Sequence, residues 1–295
     1  MSTDPTFETH RQRLFSLAYR LLGSPTDAED VVQEAWLRWH GADRDGIHDP
    51  EAWLVTATTR LGLDRLRAAK NARTDYIGPW LPEPLSVDTA PDPAESREIA
   101  GEVSLAFLTL LERLGPEERA AFLLKEAFDY DYASIGQWLG HSEANCRQLV
   151  HRARERLRAG RPRFVVPRER HRHLLQRFME ASQRGDRAAI TALLADDARM
   201  ISDGGGKVTA TLRPLLGAER IARLYWAVFQ RNAVVPAQLG WVNGEPAILR
   251  FSNGRLQSLT LAVSDGERIT ELLTLMNPDK LSVTVTPPPA SASLE

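Results

Sequence analysis

Along the first seventy residues, apolar positions recur three and four apart. Leu14, Leu17, Ala18, Leu21 and Leu22 share one face at helical spacing. Gly23-Ser24-Pro25 breaks that pattern. Thr26, with Glu29 three positions on, has capping-box spacing and predicts a second helix. Its buried stripe is Ala28, Val31, Val32, Ala35 and Trp39. Asp49-Pro50, a cap residue followed by proline in the first turn, predicts a third helix through Trp53, Ala57, Leu61 and Leu66. Further on, Leu105, Leu108, Leu111 and Leu114 form a stripe ended by Gly115-Pro116, and a new helix starts there and ends near Asp129. Helices are expected at about 169–184, 186–195 and Ala218–Gln230. The period then changes: β-type runs are separated by Asn243-Gly244, Asn253-Gly254 and Asp265-Gly266. Helices followed by strands predict an α+β fold for this last block.

These patterns divide the chain into two all-α blocks, about 5–74 and 97–165, and an α+β block, about 168–283. A linker at 75–96 holds Pro79, Pro82, Pro84, Pro91 and Pro93. Its charges are all acidic: Asp75, Glu83, Asp88, Asp92 and Glu95. It is expected to be extended. The Pro/Ala/Ser-rich tail, 284–295, is expected to be disordered. Two or three domains suit 295 residues.

Charge narrows the chemistry. The formal net charge is −2, so nucleic-acid binding must rest on a local basic patch. A single cysteine, Cys146, neither staples a secreted fold nor builds a zinc site, and no metal or cofactor is expected. The N-terminus lacks a basic segment followed by an apolar run, and the longest uncharged runs are too short to span a bilayer. A cytoplasmic protein with no membrane partner is expected.

The basic patch lies in 131–158. A short helix, Tyr132–Leu139, and a second, Ser142–Arg158, have the pattern of a DNA-reading helix-turn-helix. Ile135 and Gly136 place an apolar and a small residue where the helices approach. Gly140 supplies the turn, Ser142 caps the second helix, and Cys146 and Leu149 point inward. The outward set is then Glu143, Arg147, Gln148, His151, Arg152 and Arg154. Arg and Gln pair two-pronged with guanine and adenine edges. A plain helical hairpin with a solvated basic face is the alternative from these residues alone.

Other segments carry a resemblance. Asp27-Ala-Glu-Asp-Val-Val-Gln-Glu-Ala-Trp-Leu-Arg-Trp39 resembles region 2.2 of sigma-70-type factors, the helix that grips the clamp helices of RNA polymerase. The stretch from Asp49 to Arg67 resembles regions 2.3 and 2.4, which open and read the −10 element. The block 97–160, with Leu114-Gly-Pro-Glu-Glu-Arg119 through Arg158, resembles region 4, which reads the −35 element. Their order, without regions 1 and 3, is similar to that of the extracytoplasmic-function (ECF) sigma factors. The resemblance implies polymerase contacts, at the clamp helices and flap, through Asp30, Gln33, Glu34 and Arg38. It implies −10 contacts through Arg60, Asp64, Arg67 and Lys70, and a flipped base held by the loop Gly41–His48. Trp53 is expected in the core.

The block beyond region 4 resembles the SnoaL-like, NTF2-like cone fold found in the SigJ-type group of ECF factors. Three motifs carry the match: Trp80-Leu-Pro-Glu-Pro-Leu85 (with Pro82, Glu83 and Pro84), Asp203-Gly204-Gly205-Gly206-Lys207, and Asn277-Pro278-Asp279-Lys280-Leu281. The resemblance implies control in cis in place of a separate anti-sigma partner. Three glycines and Lys207 form either a plain turn or a dock for an anion or a linker carboxylate such as Glu83. Tyr225, Trp226, Phe229 and Trp241 line a small-ligand pocket or are core. No catalytic group is identifiable, so no enzyme activity is expected. The competing class is a helix-turn-helix regulator with a small-molecule-sensing NTF2-like domain, against which the stretch 27–39 discriminates.

Overall fold

The structure is a computed structural model that describes residues 4–89, 103–158, 166–231 and 235–282. It resolves into two compact units, one of 1–74 with 107–161, the other of 75–106 with 162–295.

In the first unit, α1 (Pro5–Leu22), α2 (Pro25–His40) and α3 (Pro50–Ala72) form a bundle. Each starts on a side-chain cap followed by proline. The Asp4 and Asp49 carboxylates accept from the Thr6 and Ala52 amides, and Ser24 Oγ accepts from Asp27 N. The α2 cap is therefore Ser24, not Thr26: Pro25, with its φ already helical and no amide to satisfy, favours the earlier start. Gly23, in the left-handed region at φ 70°, closes α1. The expected apolar stripes are buried except for Trp53, which is half-buried and packs edge-on against Trp39 at 5.4 Å.

The second part of this unit holds α5 (Pro116–Glu126), α6 (Tyr132–Leu139) and α7 (Glu143–Arg158), after α4 (Leu105–Leu111). The pair α6–α7 is the expected helix-turn-helix. A Cβ on Gly136 would stand 2.6 Å from the His141 carbonyl oxygen, so only glycine lets the helices approach this closely. Gly140 makes the turn at φ 72°. Ile135, Cys146 and Leu149 are buried between the helices.

The second unit contains a seven-stranded sheet in the order β1-β4-β5-β6-β7-β2-β3. Its strands are β1 (Val87–Asp88), β2 (Leu194–Asp203), β3 (Leu215–Leu216), β4 (Ala237–Val242), β5 (Glu245–Ser252), β6 (Arg255–Ser264) and β7 (Ile269–Leu275). All neighbours are antiparallel except β2 with β7. Helices α8 (Arg168–Arg184), α9 (Arg187–Leu193) and α10 (Ala218–Gln230) share a core with it around Leu175, Phe178, Ile190, Ile221, Ile248 and Leu272. This is an α+β domain, as expected for an NTF2-like cone. Asn243-Gly244 and Asn253-Gly254 turn the hairpins with positive φ at both residues, the geometry that matches strand twist.

Two expectations shift. Residues 194–203 form the long strand β2, and α9 ends at Leu193, because Leu194, Ala198 and Met200 are buried against the sheet neighbours rather than on a helix face. The segment expected to be extended is, over 75–89, also packed. Leu81, Pro82, Pro84 and Val87 are buried, and 75–89 belongs to the second unit, with β1 joining the sheet edge. Linker residues 90–96 and the tail lie outside the described residues. Among the described residues, no helix is long and apolar enough to cross a membrane.

Candidate functional site

On α7, Glu143, Arg147, Gln148, His151 and Arg152 are exposed, and the last four border a shallow depression on the helix surface. Arg147 pairs with Glu143 and lies over the Tyr132 ring, 5.3 Å from its centroid. Both contacts pre-set the guanidinium on the outer face. Arg152 is tethered from below by Glu118, at 3.4 Å. Arg154 is part-exposed and bonded to Glu126 of α5 at 2.5 Å. Four positions after Val150, it falls on the flank of the buried stripe.

Sequence reasoning did not single out Glu118. It is nearly buried, accepts from Gly115 N at 3.1 Å to close a helix-start box, and binds Arg156 at 2.5 Å. One carboxylate thus fixes the start of α5 and the orientation of α7. Its place three residues after the Gly115 cap was the available signal.

On α2, Asp30, Gln33, Glu34 and Arg38 share an exposed face. Glu34 and Arg38 pair one turn apart at 2.8 Å, and Asp30 pairs with Arg65 of α3 at 2.9 Å. Leu37, in the midst of them, is 61% exposed, an apolar centre that charge patterning did not reveal. The loop Gly41–His48 is largely exposed. Arg44 anchors it, bonded to Asp4 at 2.5 Å and stacked over Trp39 at 5.0 Å.

The candidate −10 residues of α3 are engaged within the first unit. Arg60 Nε donates to the Trp138 carbonyl at 3.2 Å, and Lys70 Nζ donates to the Leu114 carbonyl at 2.7 Å. Arg67 binds Glu117 at 3.0 Å and Asp64 at 3.3 Å. Arg73 pairs with Glu112, and Glu112 also holds Arg119 at 2.5 Å. Arg119 is fully buried and donates to the Arg20 carbonyl at 3.1 Å. Tyr130 donates to Glu51 at 2.9 Å; burial and that carboxylate push its hydroxyl up to about 12. The helix-turn-helix half therefore packs against the α3 face that carries the basic set. Partial burial pulls Lys70 below the usual lysine range.

In the second unit the three motifs meet. Asp203, fully buried at the end of β2, accepts from the Leu81 amide at 2.8 Å, from Tyr76 Oη at 2.5 Å, and from Lys280 Nζ at 2.8 Å. Lys280 Nζ also donates to the Leu81 carbonyl at 2.7 Å and lies 4.1 Å from the Trp80 ring centroid. Asn277 donates to Tyr76 Oη at 3.0 Å. Burial and the Asp203 carboxylate raise the Tyr76 hydroxyl well above its ordinary value, so it stays a donor. The glycines are explained by what touches them. A Cβ on Gly205 would meet Asn277 at 2.3 Å, on Gly206 it would meet Ile77 at 2.8 Å, and on Gly204 it would meet the Val208 carbonyl at 2.7 Å.

The cation that serves the linker is thus Lys280, with Asp203 as its counter-ion. Lys207, read as a dock for a carboxylate such as Glu83, instead pairs with Asp279 at 2.5 and 2.7 Å. Pro278 and Asp279 are exposed on that turn. Of the four aromatic residues, Tyr225 packs edge-on against Phe178 at 5.0 Å, and Phe229 covers Gly185. Trp241 pairs in register with Asp88, and Trp226 is exposed.

Comparison with known proteins agrees with this geometry. The family model described as Sigma-70 region 2 matches residues 6–72, and that described as Sigma-70, region 4 matches 104–157. The ECF RNA polymerase sigma factor SigJ of Mycobacterium tuberculosis is 38% identical over 290 residues, covering 94% of this chain and 92% of that protein. A probable ECF RNA polymerase sigma factor, SigI, from the same species is 33% identical over 277 residues, 93% of each. The crystal structure of M. tuberculosis SigJ superposes with a TM-score of 0.72 at 36% identity, covering 93% of this chain and 96% of that one. Similarity sustained along nearly the whole length shows that the chain belongs to the ECF RNA polymerase sigma factors.

Proposed function

We propose that the exposed α2 face, Asp30, Gln33, Glu34 and Arg38 around Leu37, binds core polymerase. In the same reading, α3 with the loop Gly41–His48 reads and opens the −10 element, and α7 reads the −35 element through Arg147, Gln148, His151 and Arg152. The C-terminal unit governs this activity in cis by holding the linker through Asp203, Lys280 and Asn277, in place of a separate anti-sigma protein. The chain acts by binding, without catalysis of its own, in the cytoplasm where polymerase works.

One observation carries the regulated part of this reading. Arg60, Arg67 and Lys70 are bonded to the helix-turn-helix half of their own unit. Cations occupied in this way do not grip phosphates, so the packed form is closed to the −10 element. Polymerase and promoter together must replace those bonds. The contacts replaced are polar, and the one ion pair among them, Arg67 with Glu117, is exposed, the kind that exchanges at little net cost.

Transcription from a defined promoter with core polymerase and the full chain tests it. Arg147→Ala or Gln148→Ala should lower promoter-specific output about 10- to 100-fold, the value of a lost two-pronged base contact. Leu37→Asp should weaken polymerase binding itself. A full chain that fails to direct initiation at any promoter would sink the proposal.

A further inference from the structure

The turn Asn243-Gly244 and the start of β5 touch the connection between the two all-α blocks twice, at Leu85–Ser86 and again at Val103–Ala106, and none of the three family motifs includes them. Asn243 is 3% exposed. Its Oδ1 accepts from the Leu85 amide at 2.8 Å and the Ser86 amide at 3.1 Å, and its own amide donates to the Ser86 carbonyl at 3.0 Å. Its Nδ2 donates to the Val103 carbonyl at 3.0 Å. Both ends of one side-chain amide are therefore occupied, the oxygen by Leu85 and Ser86 and the nitrogen by Val103. Two residues on, the Glu245 carboxylate accepts from the Leu105 and Ala106 amides and the Ser104 hydroxyl, with Arg168 as the nearby charge. Those residues open α4, the first helix of the segment matched to region 4.

Ser86 and Val103 are seventeen positions apart. Fully extended, such a stretch reaches roughly 55–60 Å. Bonded to one side chain, its two ends lie within a few ångströms of that side chain. The elements read by the two halves are separated by about 25 base pairs, on the order of 85 Å of duplex at 3.4 Å per pair. A linker held shut at its base withholds most of its reach from that span.

We propose that Asn243 and Glu245 form a clasp that closes the base of the linker and so limits the separation of the two promoter-reading halves. This rests on the sigma-factor reading above and adds a positioning site to it. The Asn243 side chain is suited to the task because an amide accepts and donates at once. It also tolerates the left-handed backbone of the turn, at φ 49°.

Asn243→Gly in the full chain keeps a turn that favours positive φ and deletes the side-chain bonds. Amide exchange at 103–106 should quicken at least tenfold, while protection across β5 and β6 stays as in the parent. Promoter-specific output with core polymerase should rise severalfold. Unchanged exchange at 103–106, or faster exchange with equal or lower output, would overturn the clasp. Should the glycine variant lose protection across β5 and β6, Asn243→Asp decides by the same criteria. It keeps the acceptor for Leu85 and Ser86 but loses the donor to Val103. An unmodified chain that drives no initiation would instead defeat the sigma-factor reading.

Discussion

The two compact units secure their parts by different chemistry. In the first, the two DNA-reading halves meet through long cationic side chains on carbonyls and carboxylates: Arg67 on Glu117 is exposed, Arg60 on Trp138 and Lys70 on Leu114 are part-buried, and the buried Arg119 reaches the Arg20 carbonyl. In the second, the linker is fixed by a buried carboxylate, Asp203, with a buried lysine, Lys280, and by strand pairing at β1. Exposed ion pairs contribute about 0–1 kcal/mol each and weaken with salt. Removing one member of a buried pair costs about 3–5 kcal/mol, because the other charge is left unpaired. The first contact is suited to exchange with a partner, the second to persist while that exchange happens.

The largest expected effect tests the persistent side. Asp203→Ala strands Lys280 Nζ beside Trp80 and leaves the Tyr76 hydroxyl and Leu81 amide without their acceptor. Denaturant unfolding of the second unit should show a loss of about 3–5 kcal/mol. A loss below 1 kcal/mol would erase the contrast between the units.

The next tests the fully buried charge of the first unit, Arg119. Glu112→Ala removes the carboxylate shared by Arg73 and the fully buried Arg119. The stability of the first unit should fall by about 2–4 kcal/mol, and tryptophan fluorescence against denaturant would report it. An effect no larger than that of an exposed pair would place Arg119 among the exchangeable contacts.

A third, smaller effect concerns pH. Burial raises the Glu245 carboxyl to about 7, from an ordinary 4.5. A raised folded-state value means that the folded chain takes up the proton more readily. The contribution is therefore fully present below about 4.5 and is lost as pH rises through about 7. Stability of the second unit should decline over that window, and Glu245→Gln should flatten the decline. Parallel curves for the two proteins would contradict this.

The smallest is Arg67→Ala, expected to cost under about 1 kcal/mol at low salt and almost nothing at high salt. Scattering measurements across a salt series should show the first unit loosening before the second. The reverse order would invert the comparison.

Much of this was legible in the sequence because period and punctuation agreed. The helix-turn-helix was readable from Gly136, Gly140 and the stripe through Cys146, and the hairpins from Asn-Gly pairs, whose backbone demands few other residues meet. What stayed hidden depends on partners distant along the chain. Nothing near Lys280 announces that Asp203 is its counter-ion, and Lys207, beside the glycines, was the more obvious candidate. The fully buried Arg119 was likewise invisible, since a charged residue reads as surface until its acceptors are known.

The short strand β1 has a consequence for how such a protein can be assembled from genetic pieces. It covers the edge of β4, and a bare edge strand recruits other chains. A gene fragment that begins after the helix-turn-helix encodes β4 without this cover. It also omits Tyr76, Trp80 and Leu81, the groups that satisfy Asp203 and Lys280. The heritable cassette is thus discontinuous, its two pieces lying before and after the helix-turn-helix block in the sequence. Transplanting the C-terminal domain onto another sigma factor should yield a soluble chimera only when residues 75–106 travel with it.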